Sequence, residues 1–399
     1  MSKQVEPRCP YYGSCGGCQL QHLDYHDQLD LKTRIVREYM EQQGVAGTGV
    51  RPTIGMEDPW FYRNKVQFPI RRQNGKLQIG YFRQRSHEVV NIKECYIQDP
   101  FLTEIAQIAG KILEEREISA YDEKTGQGIL RHFVGRSGAQ TGELLLGIVV
   151  NGKGLPAGFT IADEIKKQER LMHRLVARHQ DYPRFEERPK IVGIVQNSNT
   201  ARGNVILGQY NTTLLGIPFL RERLGPFRFK VSLNSFLQVN PRQTIKLYNL
   251  IKKYAELSGT EQVVDAYAGI GTIAFWLAEK AAEVVGIEER AEAVKDANQN
   301  IALNQLTNVR MVAGQAEKEF PKNADVVVLD PPRGGCSDQA LKRIVRAEPR
   351  KIIYVSCNPA TLARDLTVLT KAEYRIEIIQ PVDMFPQTEH VEVVVKLSR

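Results

Sequence analysis

From about residue 240 onward, short apolar runs alternate with helical stretches: QVVDAYAG, EVVGIEE, NVRMVAG, ADVVVLDPP, KIIYVSCNP, IEIIQPVDMF and VEVVVKL. Runs this short, rich in β-branched residues and without polar alternation, read as strands buried on both faces. Strands separated by helices need crossover connections, so residues 229–399 are expected to form a doubly wound, Rossmann-like α/β sheet. Ligands of such sheets bind beyond the carboxyl ends of the strands, so the residues that end each run are where chemistry is to be sought.

The rest of the chain has a different texture. Cys9, Cys15 and Cys18 open it in CPYYGSCGGC. Six cysteines in 399 residues are too few for a disulfide scaffold, and four in the first quarter point to a metal before a disulfide. Cys9-x5-Cys15-x2-Cys18 with distant Cys95 supplies four thiolates, enough for a 4Fe-4S cluster or a tetrahedral zinc site. The single C-x-x-C lacks the second pair of a zinc ribbon. A radical-SAM site usually shows C-x3-C-x2-C and leaves one iron open, whereas Cys95 can close the fourth position here. Leu31, Ile35 and Tyr39 then recur at helical spacing behind an Asp24 N-cap, predicting a helix that ends near Gly44 and completes a segment over 1–49.

Residues 50–228 are rich in strand signals: KVQFPIRR, the turn pair Asn74-Gly75 and KLQIGYF form a hairpin signature, and GELLLGIVV, IVGIVQN and NVILGQY follow. An α+β central domain dominated by antiparallel strands is expected. Arg63, Lys65, Arg71, Arg72, Lys76, Arg83 and Arg85 lie on or beside the hairpin among Trp60, Phe61, Tyr62, Tyr81 and Phe82. They read either as a solvated edge or as a surface that contacts RNA. The formal charge of +8 favours an anionic partner without the density of a histone-like tail. With 42% hydrophobic residues, disordered and fibrous classes are excluded. No run reaches the roughly 18–20 apolar residues of a membrane span, and the first residues lack a signal-peptide core. A soluble cytoplasmic protein is expected, with no protein partner indicated.

In VVDAYAGIGTIAF a strand runs into Gly269-Ile270-Gly271, where glycines permit a tight turn close to a ligand. Glu288, 19 residues after Gly269, is placed to accept from ribose hydroxyls. Gly269, Gly271 and Ala274 also satisfy G-x-G-x-x-A, so a dinucleotide enzyme is a rival. Asp265 before the turn argues against a pyrophosphate and for a cationic ligand such as S-adenosylmethionine (SAM), which Tyr267 would flank. Two later strands end in Asp330-Pro331-Pro332-Arg333 and in Cys357. Glu389, His390 and Glu392 lead into the last strand. Thiol, carboxylate and methyl donor together suit methylation at C5 of a uracil. That carbon becomes nucleophilic only after a thiolate adds at C6, and a base must then remove the C5 proton. Cys357 and Glu392 would fill those roles, and Cys336 is read as a packing residue.

These motifs resemble the RNA uracil-5-methyltransferase family, and within it the iron–sulfur branch that methylates 23S ribosomal RNA. The resemblance runs from CPYYGSCGGCQLQH through YRNKVQFPI, SLNSFLQVNP, DAYAGIGT, DPPRGGC and SCNPATLARD to DMFPQTEHVE, essentially the whole chain. It implies a SAM-dependent methyltransferase domain over 229–399, a central RNA-binding domain over 50–228 that contributes Cys95, and an Fe-S segment over 1–49. It further implies that Gln238, Tyr267, Glu288 and Asp330 contact SAM, Asp330 serving the uracil edge as well. Cys357 would be the nucleophile, Glu392 the base, and Cys9, Cys15, Cys18 and Cys95 the ligands of a 4Fe-4S cluster. The partner implied is structured RNA, 23S ribosomal RNA first and the T-loop uridine of transfer RNA second. A catalytically inactive RNA-binding Fe-S protein is the alternative from another class. Many members begin with a small RNA-binding barrel, the TRAM domain. Here the first cluster cysteine is already Cys9, which leaves either a barrel-less subgroup or a truncated start.

Overall fold

The computed structural model describes residues 3–45, 49–180 and 188–399. Helix α1 (Tyr25–Gln42) is capped by Asp24, whose carboxylate accepts from the His26 N–H at 3.0 Å. Its buried face is Gln28, Lys32, Thr33, Val36 and Met40, displaced from the Leu31, Ile35, Tyr39 stripe that the spacing predicts. Gln28 and Lys32 turn inward because buried partners satisfy them, and Ile35 and Tyr39 instead look into a cleft.

Strands β1 (Lys65–Gln73) and β2 (Lys76–Phe82) pair antiparallel with Gln73 opposite Lys76. Asn74 and Gly75 between them have φ of +52° and +77°, the left-handed pair that a two-residue hairpin turn requires. The sheet continues through β3 (Val89–Asn91), β4 (Leu130–Ser137), β5 (Glu143–Val150), β6 (Lys190–Ser198) and β7 (Tyr210–Gly216), in the order β3-β2-β1-β4-β5-β6-β7. All neighbours are antiparallel except β5 and β6. Helices α2 (Pro100–Glu115), α3 (Gly158–Lys167) and α4 (Glu169–Arg178) cover one face over a core that includes Phe68, Ile105, Phe133, Ile148 and Ile161. NVILGQY, expected as a strand, pairs only from Tyr210 onward. Asn199 Nδ2 donates to the carbonyls of Val205 and Ile206 at 2.6 and 2.9 Å, and Asn197 Oδ1 accepts from the Gly208 N–H at 2.7 Å. Side-chain amides thus take the place of a ladder there.

The hairpin of β8 (Phe219–Leu224) and β9 (Phe227–Ser232) joins the two halves of the molecule. Leu220, Phe229 and Val231 share one core with Val134, Leu145 and Val195 of the central sheet and with Phe275 and Trp276 beyond it.

The C-terminal half contains α5 (Pro241–Ala255), β10 (Gln262–Ala266), α6 (Thr272–Ala278), β11 (Glu283–Glu288), α7 (Ala291–Leu303), β12 (Val309–Ala313) and α8 (Ala316–Glu319). It continues with β13 (Val326–Leu329), α9 (Asp338–Ala347), β14 (Lys351–Ser356), α10 (Pro359–Lys371), β15 (Arg375–Val382) and β16 (Glu392–Ser398). The strand order is β12-β11-β10-β13-β14-β16-β15, parallel except that β16 runs antiparallel between β14 and β15. Alternate residues serve opposite cores. Val263, Val326 and Val328 pack with α5, α6 and α7, while Val264, Val327 and Leu329 pack with α1, α9 and α10. Both faces being covered explains the unbroken apolar runs. Residues 50–54 extend this sheet, with Val50 and Ile54 bridging Ile379 and Val382 in parallel, so α1 and the segment after it lie against the C-terminal layer.

Candidate active site

The register of this sheet lines up the residues that end its strands. Ala266 lies opposite Ile287 and Leu329, so Tyr267, Glu288 and Asp330 occupy the next level on three adjacent strand ends. Ser356 pairs with Val393, so Cys357 and Glu392 are the next pair along the β14–β16 ladder. Strand order reverses between β10 and β13, which opens the crevice where such sheets bind ligands.

Glu392 is buried and Cys357 half-buried. Burial holds the Cys357 thiol up at about 11; the Glu392 and Asp330 carboxylates push the same way, and the Arg333 guanidinium opposes them. Glu392 is raised well above the carboxylate range by burial and then by Asp330, again opposed by Arg333. Asp330 is raised to about 7 by burial. Asp330 therefore titrates near neutral pH while Cys357 and Glu392 are held towards their neutral forms, and Arg333 is the cation that favours ionisation of those two. Arg333 is fixed through its backbone, its carbonyl accepting from Asn358 Nδ2 at 3.0 Å and Thr361 Oγ1 at 3.3 Å.

The turn after β10 is built for close approach. Gly269 and Gly271 have φ of +57° and +84°, and a Cβ added at Gly269 would meet nothing within 4 Å. At Gly271 a Cβ would come within 2.9 Å of Phe275, so that glycine serves packing. Asp265 is fully buried, and among the described residues no side chain pairs with its carboxylate, which has only the Ala274 N–H near it as a donor. Burial and the nearby Asp330 raise its pKa well above the usual range. A buried carboxylate with unused acceptors suits the cationic groups of SAM, so the donor set fits that cofactor. Glu288 turns back onto the turn, accepting from the Gly269 and Arg290 N–H groups at 2.9 Å each. The adjoining cavity is lined by Tyr267, Ile287, Glu289, Gly314, Gln315 and Pro332. Gln238 is buried in the loop between β9 and α5. That loop is held by Arg136, which donates to the carbonyls of Leu233 and Ser235, and by Asp296, which accepts from Ser235 Oγ at 2.6 Å.

Cys357 opens into a cleft with Asn358, Arg333 and His390, walled by Ile35 and Tyr39 of α1. Gln84, Arg333 and His390 are shared with a neighbouring cleft that carries Arg63, Arg83, Arg85 and His87. A basic path thus leads from the far end of the β2–β3 hairpin to the thiol. Arg71 lies off that path, paired with Glu123 and stacked over Phe82.

Cys9, Cys15, Cys18 and Cys95 line one cavity together with Tyr11, Tyr81 and Glu94. Cys15 bridges Arg83 in a short antiparallel contact, and the Gly17 N–H points at its sulfur at 3.3 Å. Burial raises Cys15 to about 11 and Cys18 to about 12. Among the described residues, no three His, Cys, Asp or Glu side chains are grouped to hold a metal ion.

Sequence reasoning passed over Lys32, Asp383 and Gln387, whose partners lie hundreds of residues away, and gave Arg333 no role of its own. The only local signal for Arg333 was its place directly after Asp330-Pro331-Pro332.

Sheet order and glycine turn define a doubly wound α/β fold, and comparison with known proteins makes it that of a methyltransferase. A tRNA (uracil-5-)-methyltransferase family model matches residues 319–399, and a methyltransferase small-domain model matches 247–351. An uncharacterised RNA methyltransferase of Bacillus cereus is 43% identical over 401 residues, 99% of this chain and 83% of that one. One from Clostridium acetobutylicum is 42% identical over 405 residues, with 99% and 84% covered. The solved tRNA (uracil-54, C5)-methyltransferase of Pyrococcus abyssi, in complex with S-adenosyl-L-homocysteine, superposes with a TM-score of 0.74 at 28% identity, covering 96% of this chain and 86% of that one. The chain belongs to the family of these RNA methyltransferases. Among the described residues, no helix is long and apolar enough to cross a membrane.

Proposed function

We propose that this protein methylates C5 of a uridine in structured RNA, with 23S ribosomal RNA as its substrate. The observation that carries the reaction is the consecutive placement of Cys357 and Glu392 at one end of the β14–β16 ladder, beside Asp330 and Arg333. SAM, when bound, supplies an electrophilic methyl group. Cys357 Sγ adds to C6 of the extruded uracil, and its thiol proton passes to Asp330, leaving Glu392 free to act later. The C5=C6 electron pair moves into the ring as an enolate, so that C5 becomes the nucleophile; its bond to the methyl carbon would form as the S–CH3 bond of the donor breaks, S-adenosyl-L-homocysteine leaving. Glu392 then takes the C5 proton; that electron pair restores C5=C6 and expels the Cys357 thiolate. Tyr267, Glu288, Asp330 and Gln238 hold the donor, with Asp265 behind them. Asp330 also meets the uracil edge.

Cys9, Cys15, Cys18 and Cys95 are proposed to hold a 4Fe-4S cluster. Convergence of four thiols on one cavity supports this reading. A second reading, the T-loop uridine of transfer RNA, is favoured by the likeness to the Pyrococcus enzyme. Mapping 5-methyluridine in ribosomal and transfer RNA from cells with and without the protein decides between them. A mark that persists in both RNAs without the protein would remove both readings.

A further inference from the structure

The loop 383–391 joins β15 to β16 and delivers Glu392 to the reacting row. In that ladder Val382 faces Glu392, so Asp383 is the first residue past the cross-strand partner of the base. The N-terminal segment takes hold at this point. Lys32 Nζ donates to Asp383 Oδ1 at 2.6 Å, with both side chains fully buried, and to the Phe385 carbonyl at 3.1 Å. The Tyr25 hydroxyl donates to Asp383 Oδ2 at 2.9 Å, and the Asp383 N–H donates to the Ile54 carbonyl at 2.9 Å. Gln28 and Gln387 bond reciprocally, Gln28 Nε2 to Gln387 Oε1 at 3.0 Å and the Gln387 N–H to Gln28 Oε1 at 3.1 Å. The Gln387 carbonyl accepts from the N–H groups of Gln19 and Leu20 at 3.1 and 3.0 Å, directly behind Cys18.

An ion pair taken wholly out of water gains little net stability over apolar side chains of the same size, and in some proteins its contribution is to fix a single geometry. Here that geometry is imposed on the loop that ends at Glu392. We propose that Lys32 and Gln28 are positioning residues for Glu392, setting its carboxylate against the C5 proton. Through Gln19 and Leu20, they also make the loop depend on the folded cysteine segment. The inference rests on the uridine C5 reaction proposed above, in which the Cys357–C6 bond breaks only after Glu392 has taken the C5 proton. A loosened loop slows that last step while Cys357 still adds and the methyl group still transfers. Methylated RNA then stays bound to Cys357.

The test uses the full-length protein, SAM and RNA with ordinary uridine. Lys32→Met/Asp383→Asn leaves no unpaired charge in the core, and Gln28→Leu removes only the neutral contact. Expected are SAM affinity within about twofold of wild type and release of 5-methyluridine RNA slowed about tenfold or more. A covalent protein–RNA band on denaturing gels, a trace for wild type, should become a major species. A merely structural role lowers release without the band; that outcome, or wild-type release, overturns the proposal. Should the double variant not fold, Gln28→Leu decides by the same criteria. Wild-type protein that forms no adduct with 5-fluorouridine RNA overturns the reaction reading and the positioning role with it, a failure visible without any variant.

Discussion

Cys357 is a poor nucleophile at rest, its thiol held at about 11 by burial beside two carboxylates. It needs a proton acceptor at hand, and Asp330, raised to about 7, is ionised only above that pH. Single-turnover methyl transfer should therefore fall as pH drops through about 7 and the Asp330–Glu392 pair takes up protons, which a pH–rate profile measures. Arg333 opposes the upward shifts of Cys357 and Glu392, so Arg333→Gln should raise the pH at which Glu392 ionises and move its part of that limb upward while SAM affinity holds. An unmoved profile would remove Arg333 from the electrostatics of the site. Cys357→Ala should abolish methyl transfer, a loss of about a thousandfold or more, with SAM binding retained. The same change should end adduct formation with 5-fluorouridine RNA, since fluorine cannot leave as a proton. The positions of Asp330 and Cys357 were legible because each directly follows an apolar run, where the fold class already places ligands, and that of Glu392 because it opens the last such run. Their electrostatic coupling was not legible, because it depends on how the ends of β13, β14 and β16 lie beside one another.

At the scale of elements, the β1–β2 hairpin shows where local sequence suffices. Asn74-Gly75 specifies its own turn, and Gly75→Val, forced to φ near +77°, should cost about 1–2 kcal/mol in chemical denaturation without touching catalysis. The arginines of the same hairpin show where local sequence does not suffice. Arg71 is paired with Glu123 and lies off the cleft, whereas Arg83, paired with the exposed Glu88, and Arg85 line the cleft that continues to Cys357. Arg83→Ala/Arg85→Ala should weaken RNA binding and lower its salt slope by about 0.7–0.9 for each phosphate no longer neutralised. Arg71→Ala should lower thermal stability and leave RNA affinity alone. An equal loss of RNA affinity on changing Arg71 would return the whole hairpin to the role of RNA platform.

Across the whole molecule, the cysteine segment, α1 and the catalytic sheet behave as one packed unit, because Lys32 and Gln28 are buried against the loop that precedes Glu392. Protein purified without oxygen should be brown and carry about four irons per chain, and Cys15→Ser or Cys95→Ser should lose both iron and folded protein. Stoichiometric zinc in such a preparation would overturn the cluster. The doubly wound sheet, the glycine turn, the hairpin and the ends of β13 and β14 were determined by the sequence itself. Their signals are periodicity and short motifs, which act within a few residues. Only the tertiary structure decided which face α1 buries, why NVILGQY stays out of the ladder until Tyr210, and what Arg71 pairs with. It also joined Lys32 to Asp383, 351 residues apart. A polar side chain takes the inner face of a helix only when a partner waits there, and such a partner is supplied by the folded chain, never by the neighbouring residues.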